Sequence, residues 1–282
     1  MRSRQSVCRY KRGGKMKIGF IGSGVMANAM IGGIIKSGLC QADDIIGAAP
    51  TECGRNRTKE QNGIEVTADN LEVIDKCDVV FLSVKPQHYA PVIAEIKEHV
   101  KADQLFISIG AGITLDYLKK AFDDKAVKIV RVMPNTPSQV GAGMSAACPN
   151  EYVTEDEAKL AVSILSAFGK TEVVPESLFD VVTGISGSGP AYVFLFIEAL
   201  ADAAVVGGMP RRQAYEFAAQ TVYGSAKMVM ETGKHPGELK DMVCSPSGTT
   251  IAAVRALEAN NFRSAVLEGA NAATERSAEM RG

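Results

Sequence analysis

In the first half of the chain, apolar residues come in short unbroken runs separated by stretches of helical spacing. Lys17–Ile21 (KIGFI) is such a run, and a glycine turn follows it. Helical spacing holds from about Val25 to Lys36 and stops at Gly38, a residue suited to closing a helix. A second extended run, DIIGAA, ends near Ala49. Helical residues then lead to Gly63, and IEV resumes an extended pattern. DVVFLSV (78–84) and QLFISI (104–109) are nearly continuous apolar runs, as expected of strands covered on both faces. VIAEIKEHV (92–100) and TLDYLKKAF (114–122) read as helices, and VKIVRVM (127–133) as a further strand. This alternation predicts a parallel sheet with helices on both faces.

After about residue 175 the strand pattern ends. Helical stretches follow at roughly 177–184, 190–207, 211–231, 236–243, 249–259 and 261–280. Pro190 and Pro210 stand where a first-turn proline is tolerated, and Gly207, Gly208 and Gly233 where helices close. The pattern predicts a basic disordered extension at 1–15, an α/β domain at 16–175 and a helical domain at 176–282.

Composition supports a packed chain: 46% hydrophobic and 22% charged residues argue for a sizeable core and against long disorder. Charge is uneven. Arg2, Arg4, Arg9, Lys11, Arg12 and Lys15 crowd the start without an acid. The remainder holds 25 basic residues against 32 acidic ones, a net charge of −7 that makes a poor generic binder of nucleic acid. The basic leader lacks the apolar core of a secretory signal. Cysteines at 8, 40, 53, 77, 148 and 244 show no CxxC spacing, and His88, His99 and His235 no ligand spacing. Reduced thiols in the cytoplasm are expected, and no metal. The longest apolar stretch, Ala191–Val206, is broken by Glu198 and Asp202. It reads as a buried or interface helix, since a membrane span needs about 20 largely uncharged residues.

The first candidate site is the turn after KIGFI. Gly22-x-Gly24-x-x-Ala27 is the G-x-G-x-x-A fingerprint of dinucleotide binding: a tight turn, a close approach to the pyrophosphate, and close helix–strand packing. The helix that follows presents free N–H groups and a positive dipole end. With the alternating array behind it, the fold class expected is α/β: an N-terminal Rossmann-type doubly wound parallel sheet followed by an all-α domain. NAD enzymes usually carry an acid at the end of the second strand, for the ribose 2′-hydroxyl. Here that strand ends Ala48-Ala49-Pro50-Thr51, and Asp43 and Asp44 come too early. Arg55, Arg57 and Lys59 follow and could meet a 2′-phosphate, or form a solvated helix face. NADPH is therefore the expected coenzyme, with NADH possible.

The second candidate is CSPSGTTIAAVRALEA (244–259). Pro246 excludes a regular helix through it, and Gly248, Thr249 and Thr250 open a new one. A helix start flanked by Ser245 and Ser247 suits a carboxylate, or is an ordinary N-cap. SGSGPAY (186–192) repeats the theme before the long apolar helix. Cys244 has no His/Asp partner pattern to make it a nucleophile.

Several stretches together resemble pyrroline-5-carboxylate reductases: FIGSGVMA (20–27), SVKPQ (83–87), SIGAG (108–112), VMPNTP (132–137), VTGISGSGPAYVF (182–194), ADAAVVGGMPR (201–211), HPGELKDMVCSPSGTTIAAV (235–254) and NNFRSAV (260–266). They run from Met16 to the C-terminus, and the HPG…LKD…SP-x-G-x-T run is far more specific than the glycine turn. The resemblance implies hydride transfer from NAD(P)H to the C=N bond of Δ1-pyrroline-5-carboxylate, giving L-proline, the last step of proline biosynthesis. It implies that Thr250 hydrogen-bonds the ring nitrogen as the catalytic residue. Ser245, Gly248 and Thr249 join Thr250 around the substrate, and Glu176 matches an acidic position near it in some members. On the coenzyme side it implies Ile21, Gly22, Ser23, Gly24, Val25 and Met26 at the pyrophosphate and Asn70 at the adenosine end. Ser83, Val84, Lys85 and Pro86, with Ile109, Gly110 and Ala111, would line the nucleotide. Lys85 could be an acid catalyst, or structural or cofactor-lining. Some members carry a serine near the 2′-phosphate where this chain has Ala49. The resemblance also implies a homodimer through the C-terminal helices and a higher oligomer, a decamer. A 3-hydroxyacid dehydrogenase shares the two-domain plan, but Lys227, its one plausible acid/base, stands in unmatched surroundings. A non-catalytic dinucleotide sensor is disfavoured by the intact SPSGTT segment.

Overall fold

The structure, a computed structural model, describes residues 15–280. The basic extension read at 1–15 lies, Lys15 apart, outside the described residues. The first part of the chain builds an eight-stranded sheet. Its strands are β1 (Ile18–Ile21), β2 (Ile45–Ala48), β3 (Glu65–Thr67), β4 (Val79–Leu82), β5 (Leu105–Ser108), β6 (Lys128–Met133), β7 (Gly143–Pro149) and β8 (Gly169–Val173). The spatial order is β3-β2-β1-β4-β5-β6-β7-β8. The helices between strands are α1 (Val25–Lys36), α2 (Glu52–Asn62), α3 (Asn70–Lys76), α4 (Tyr89–Ile96), α5 (Leu115–Ala121) and α6 (Glu155–Leu165).

All four residues of each of β1, β2, β4 and β5 are buried, the outcome of helices on both faces. Alternation along the strands sorts their side chains into two cores. Ile18 and Phe20 pack with Met30, Ile31 and Ile34 of α1, and the Phe20 ring stacks on Phe81 with centroids 4.4 Å apart. Ile21 and Leu82 face the other side, with Ile93 of α4 and Leu118 of α5. The sheet is parallel through β6, as the alternation predicts, and then departs from it. β7 pairs antiparallel with β6, Val132 opposite Ala147, and β8 returns parallel to β7. The run behind β7, GMSAACP, is made mostly of small residues and carries no branched apolar pattern. Its place is set by tertiary contacts, among them Asn135 Oδ1 accepting from Met144 N at 2.8 Å.

By internal contacts the described chain forms two units. One runs to Gly187 and takes in the chain from Thr274 onward; the other is Ser188–Ala273. The segment after β8 is continuously helical. A 3₁₀ turn at Glu176–Leu178, α7 (Phe179–Val182) and a π-helical stretch at Thr183–Gly187 lead into α8 (Gly189–Val206). α9 (Arg211–Thr232), α10 (Pro236–Val243), α11 (Thr249–Ala259) and α12 (Phe262–Glu279) complete the chain. The end of α12 belongs to the sheet unit, where Ser277 Oγ donates to Asp180 Oδ1 at 2.9 Å.

The helical unit has almost no interior of its own. Its fully buried core is three alanines, Ala201, Ala214 and Ala218. Phe194, Leu195, Phe217 and Leu267 are each more than 60% exposed. By length and hydropathy alone, the run Glu176–Val206 is the one helix among the described residues that could cross a membrane. The core helix of a water-soluble protein passes the same test, so this criterion is weak evidence for a span.

Candidate active site

In an open parallel sheet, ligands bind beyond the carboxyl ends of the strands where the chain reverses its winding direction. That point lies between β1 and β4, and the structure opens a cleft there of about 790 Å³. This falls within the range of about 300–1,000 Å³ common for ligand clefts. Of the coenzyme residues read from sequence, Gly22, Gly24, Val25, Met26, Asn70, Ser83, Val84, Lys85, Pro86, Ile109, Gly110 and Ala111 all line it. Ile21 and Ser23 do not. Ile21 is fully buried in the core beneath the turn, leaving only its main chain for a ligand. Ser23 is half-buried beside the start of α2.

The two glycines of the turn are required for different reasons. Gly22 has φ +95°, and a Cβ there would lie 2.8 Å from the Ser83–Val84 backbone. Protein packing alone demands glycine at this position. Gly24 has an ordinary φ of −73°, and a Cβ on it would meet nothing within 4 Å. It is the N-cap of α1 and no side chain caps the helix, so the first N–H groups of α1 open toward the cleft side. A side chain at Gly24 would enter only the open space of the cleft. Ala27, the third fingerprint residue, is buried against the sheet.

No acid stands at the end of β2. Thr51 caps α2, accepting from Gly54 N at 3.2 Å. Arg55 folds back so that Nη1 donates to Ala49 O at 2.8 Å and Pro50 O at 3.1 Å, which holds a cation beside Pro50 at the cleft edge. Arg57 points to a separate surface hollow with Asn28 and Gln61.

The cleft also has residues that sequence reasoning left unassigned. His88, Met133, Pro134 and Thr136 line it. VMPNTP was visible as a stretch, but only strand order places the end of β6 at the cleft. Beneath the floor, Tyr89 is 1% exposed. Its hydroxyl donates to Leu82 O at 2.7 Å and meets Ser108 Oγ at 3.1 Å, tying together the ends of β4 and β5. Burial pushes this phenol up to about 12, so it stays protonated and keeps donating.

Glu176 is not among the residues lining the cleft. One oxygen of its carboxylate accepts from Leu115 N at 2.7 Å and from Arg131 Nη1 at 2.7 Å. Arg131 is nearly buried, and its guanidinium lies 4.4 Å from the centre of the Phe179 ring.

The second candidate lies in the helical unit. His235 caps α10, its Nδ1 accepting from Gly237 N at 3.0 Å, which gives the His-Pro-Gly sequence a structural role. After α10 the chain turns through Ser245–Gly248, with Gly248 N donating to Ser245 O at 3.1 Å. Ser247 has φ +56°, a conformation costly for a residue with a Cβ and one that tends to persist at ligand sites. Gly248 is the N-cap of α11. A Cβ there would lie 2.3 Å from Ser245 Oγ, so glycine lets that hydroxyl fold over the turn. No side chain caps α11, so Gly248 begins the helix without occupying its first N–H groups. Ser245, Gly248, Thr249 and Thr250 thus stand together around an uncapped helix start, a geometry that suits an anion. Among the described residues no group of His, Cys, Asp and Glu could hold a metal ion.

Comparison with known proteins covers both units. Residues 17–112 match a family model described as "NADP oxidoreductase coenzyme F420-dependent", and residues 176–280 match one described as "Pyrroline-5-carboxylate reductase dimerisation". The pyrroline-5-carboxylate reductase of Escherichia coli (strain K12) is 49% identical over 264 residues, 94% of this chain and 98% of that protein. A solved pyrroline-5-carboxylate reductase from Coxiella burnetii superposes with a TM-score of 0.88 at 37% identity, covering 95% of this chain and 99% of that one. The Plasmodium falciparum pyrroline carboxylate reductase, solved with NADP bound, gives 0.85 at 34% identity over 95% and 98%. The likeness spans the sheet, the exposed helices and the uncapped start of α11 alike, and the chain belongs to the pyrroline-5-carboxylate reductase family.

Proposed function

We propose that this protein reduces Δ1-pyrroline-5-carboxylate to L-proline with NAD(P)H. The observation that carries the proposal is the near-full-length relationship to a reductase of that name at 49% identity. The coenzyme, when bound, supplies a hydride from its nicotinamide C4. The residues of this chain do the rest. The uncapped N–H groups after Gly24 receive the pyrophosphate, and Ser83–Pro86 and Ile109–Ala111 form the wall of the nucleotide cleft. The N–H groups opening α11, with Ser245, hold the substrate carboxylate. Thr250 hydrogen-bonds the ring nitrogen and so positions the imine carbon. A protonated cyclic imine is already electrophilic, so the protein's work is to orient the reactants and exclude water.

NADPH is the preferred coenzyme in this reading, supported by the absence of an acid after β2 and by the anchored Arg55. Lys85 belongs to the cleft wall, not to proton transfer. We give Glu176 a supporting part, since its carboxylate already holds the start of α5 and Arg131. We assign 16–175 to the coenzyme and 176–282 to the substrate and the dimer, a functional division distinct from the contact units that break at Gly187 and Thr274. The exposed apolar side chains of α8, α9 and α12 support a homodimer, and we extend this to a decamer in solution. Free thiols at Cys53, Cys77, Cys148 and Cys244 support a cytoplasmic enzyme. The test follows loss of NADPH or NADH absorbance with and without pyrroline-5-carboxylate. Substrate-dependent oxidation with NADPH preferred supports the reading; no substrate-dependent oxidation with either coenzyme contradicts it.

A further inference from the structure

The glycine turn can bind a diphosphate only if its N–H groups are aimed outward before the ligand arrives. In a trans peptide the carbonyl and the following N–H point in opposite directions. Whatever holds the carbonyls therefore aims the amides. Two side chains meet three successive carbonyls of this turn, and the last of them, Gly24 O, also accepts from Asn28 N at 3.0 Å. Ser83 Oγ approaches Gly22 O at 2.6 Å from β4. From the other side, Asn28 Nδ2 donates to Ser23 O at 2.9 Å and to Gly24 O at 3.0 Å, one hydrogen for each. The amides of Ser23, Gly24 and Val25 are thereby turned away from these anchors, and successive amides so arranged form an anion nest.

Asn28 is itself oriented. Its Oδ1 accepts from Asn62 Nδ2, at the end of α2, at 2.8 Å. The two turn carbonyls demand the NH2 end of the Asn28 amide, and Asn62 supplies the donor that satisfies the oxygen left over and braces the side chain. Nothing in the helical spacing of α1 marks this asparagine, which sits one turn inside the helix among small and apolar residues.

We propose that Asn28, oriented by Asn62, is a positioning residue for the coenzyme diphosphate. This rests on the reading that the cleft takes NADPH. Asn28 acts through the peptide groups of the turn, without touching the ligand. Its loss lets the Ser23–Gly24 peptide rotate, while Gly24 O keeps its bond from Asn28 N at 3.0 Å, and the coenzyme must then order the freed peptide on binding.

Calorimetric titration of wild type, Asn28→Leu and Asn62→Ala with NADPH and with adenosine 2′-monophosphate, which lacks a diphosphate, tests the proposal. Leucine keeps the volume of Asn28 and removes its donors. Asn28→Leu is expected to raise the Kd for NADPH about ten- to thirtyfold, and Asn62→Ala about threefold. Both are expected to leave adenosine 2′-monophosphate within about twofold of wild type, and kcat at saturating NADPH within about twofold. Asn28→Ala carries the same test if the leucine variant does not fold. Binding of NADPH by the Asn28 variant within twofold of wild type would overturn the proposal, as would an equal loss for both ligands. Wild type failing to bind NADPH would overturn the coenzyme reading, and the proposal with it.

Discussion

At the cleft beyond β1 and β4, neighbouring residues of the same type play different parts. Gly22 and Gly24 look alike in the sequence, but only Gly22 is required by packing; Gly24 leaves room for a ligand. Arg55 was visible as one of three cations after β2, and the fold selects it by hydrogen bonds to Ala49 and Pro50. If it meets the 2′-phosphate, Arg55→Ala should lower kcat/KM for NADPH by roughly ten- to a hundredfold and leave that for NADH nearly unchanged. Steady-state kinetics with both coenzymes checks this, and an equal fall for both would contradict the assignment. Asn28 and Tyr89 could not be read from spacing. Their partners lie on elements that meet only in the folded sheet, Asn62 for one and Leu82 and Ser108 for the other.

Elements were legible where burial imposes a pattern. The runs behind β1, β4 and β5 are nearly all apolar because both faces are covered. β7 and β8 were not legible, because small and polar residues give no period and β7 takes its place from Asn135 and the neighbouring strand. Tyr89 links two of the legible strands, and this link has a pH signature. An unfolded tyrosine ionises near pH 10, whereas burial raises Tyr89 to about 12. The folded state therefore keeps a proton that the unfolded state loses first. The resulting stability is fully present below about pH 10 and declines as the pH rises toward 12. Tyr89→Phe should be less stable at neutral pH by about 1 kcal/mol through the lost hydrogen bond, yet show a shallower decline above about pH 9. Urea unfolding at a series of pH values measures both slopes. Parallel slopes would contradict the linkage.

At the scale of the whole molecule, the helical part of the chain is an unfinished surface. Three buried alanines cannot stabilise five helices, while Phe194, Leu195 and Phe217 stand open. This incompleteness fits the dimerisation family that matches residues 176–280. Leu195→Glu should place a charge in a covered apolar contact, shift the mass by light scattering toward monomer and lower the melting temperature by several degrees. An unchanged mass would place the interface elsewhere. Sequence made the apolar excess of α8 plain, but the partner that covers it is outside any single chain's pattern. In the proposed function this chain reduces a carboxylated cyclic imine held at the start of α11. Steady-state kinetics of pyrroline-5-carboxylate-dependent NADPH oxidation by wild type and Thr250→Ala checks this. Efficient turnover by wild type is expected, with a fall in kcat/KM of roughly ten- to a few-hundredfold in the variant; an undiminished rate in Thr250→Ala would remove Thr250 from the reaction.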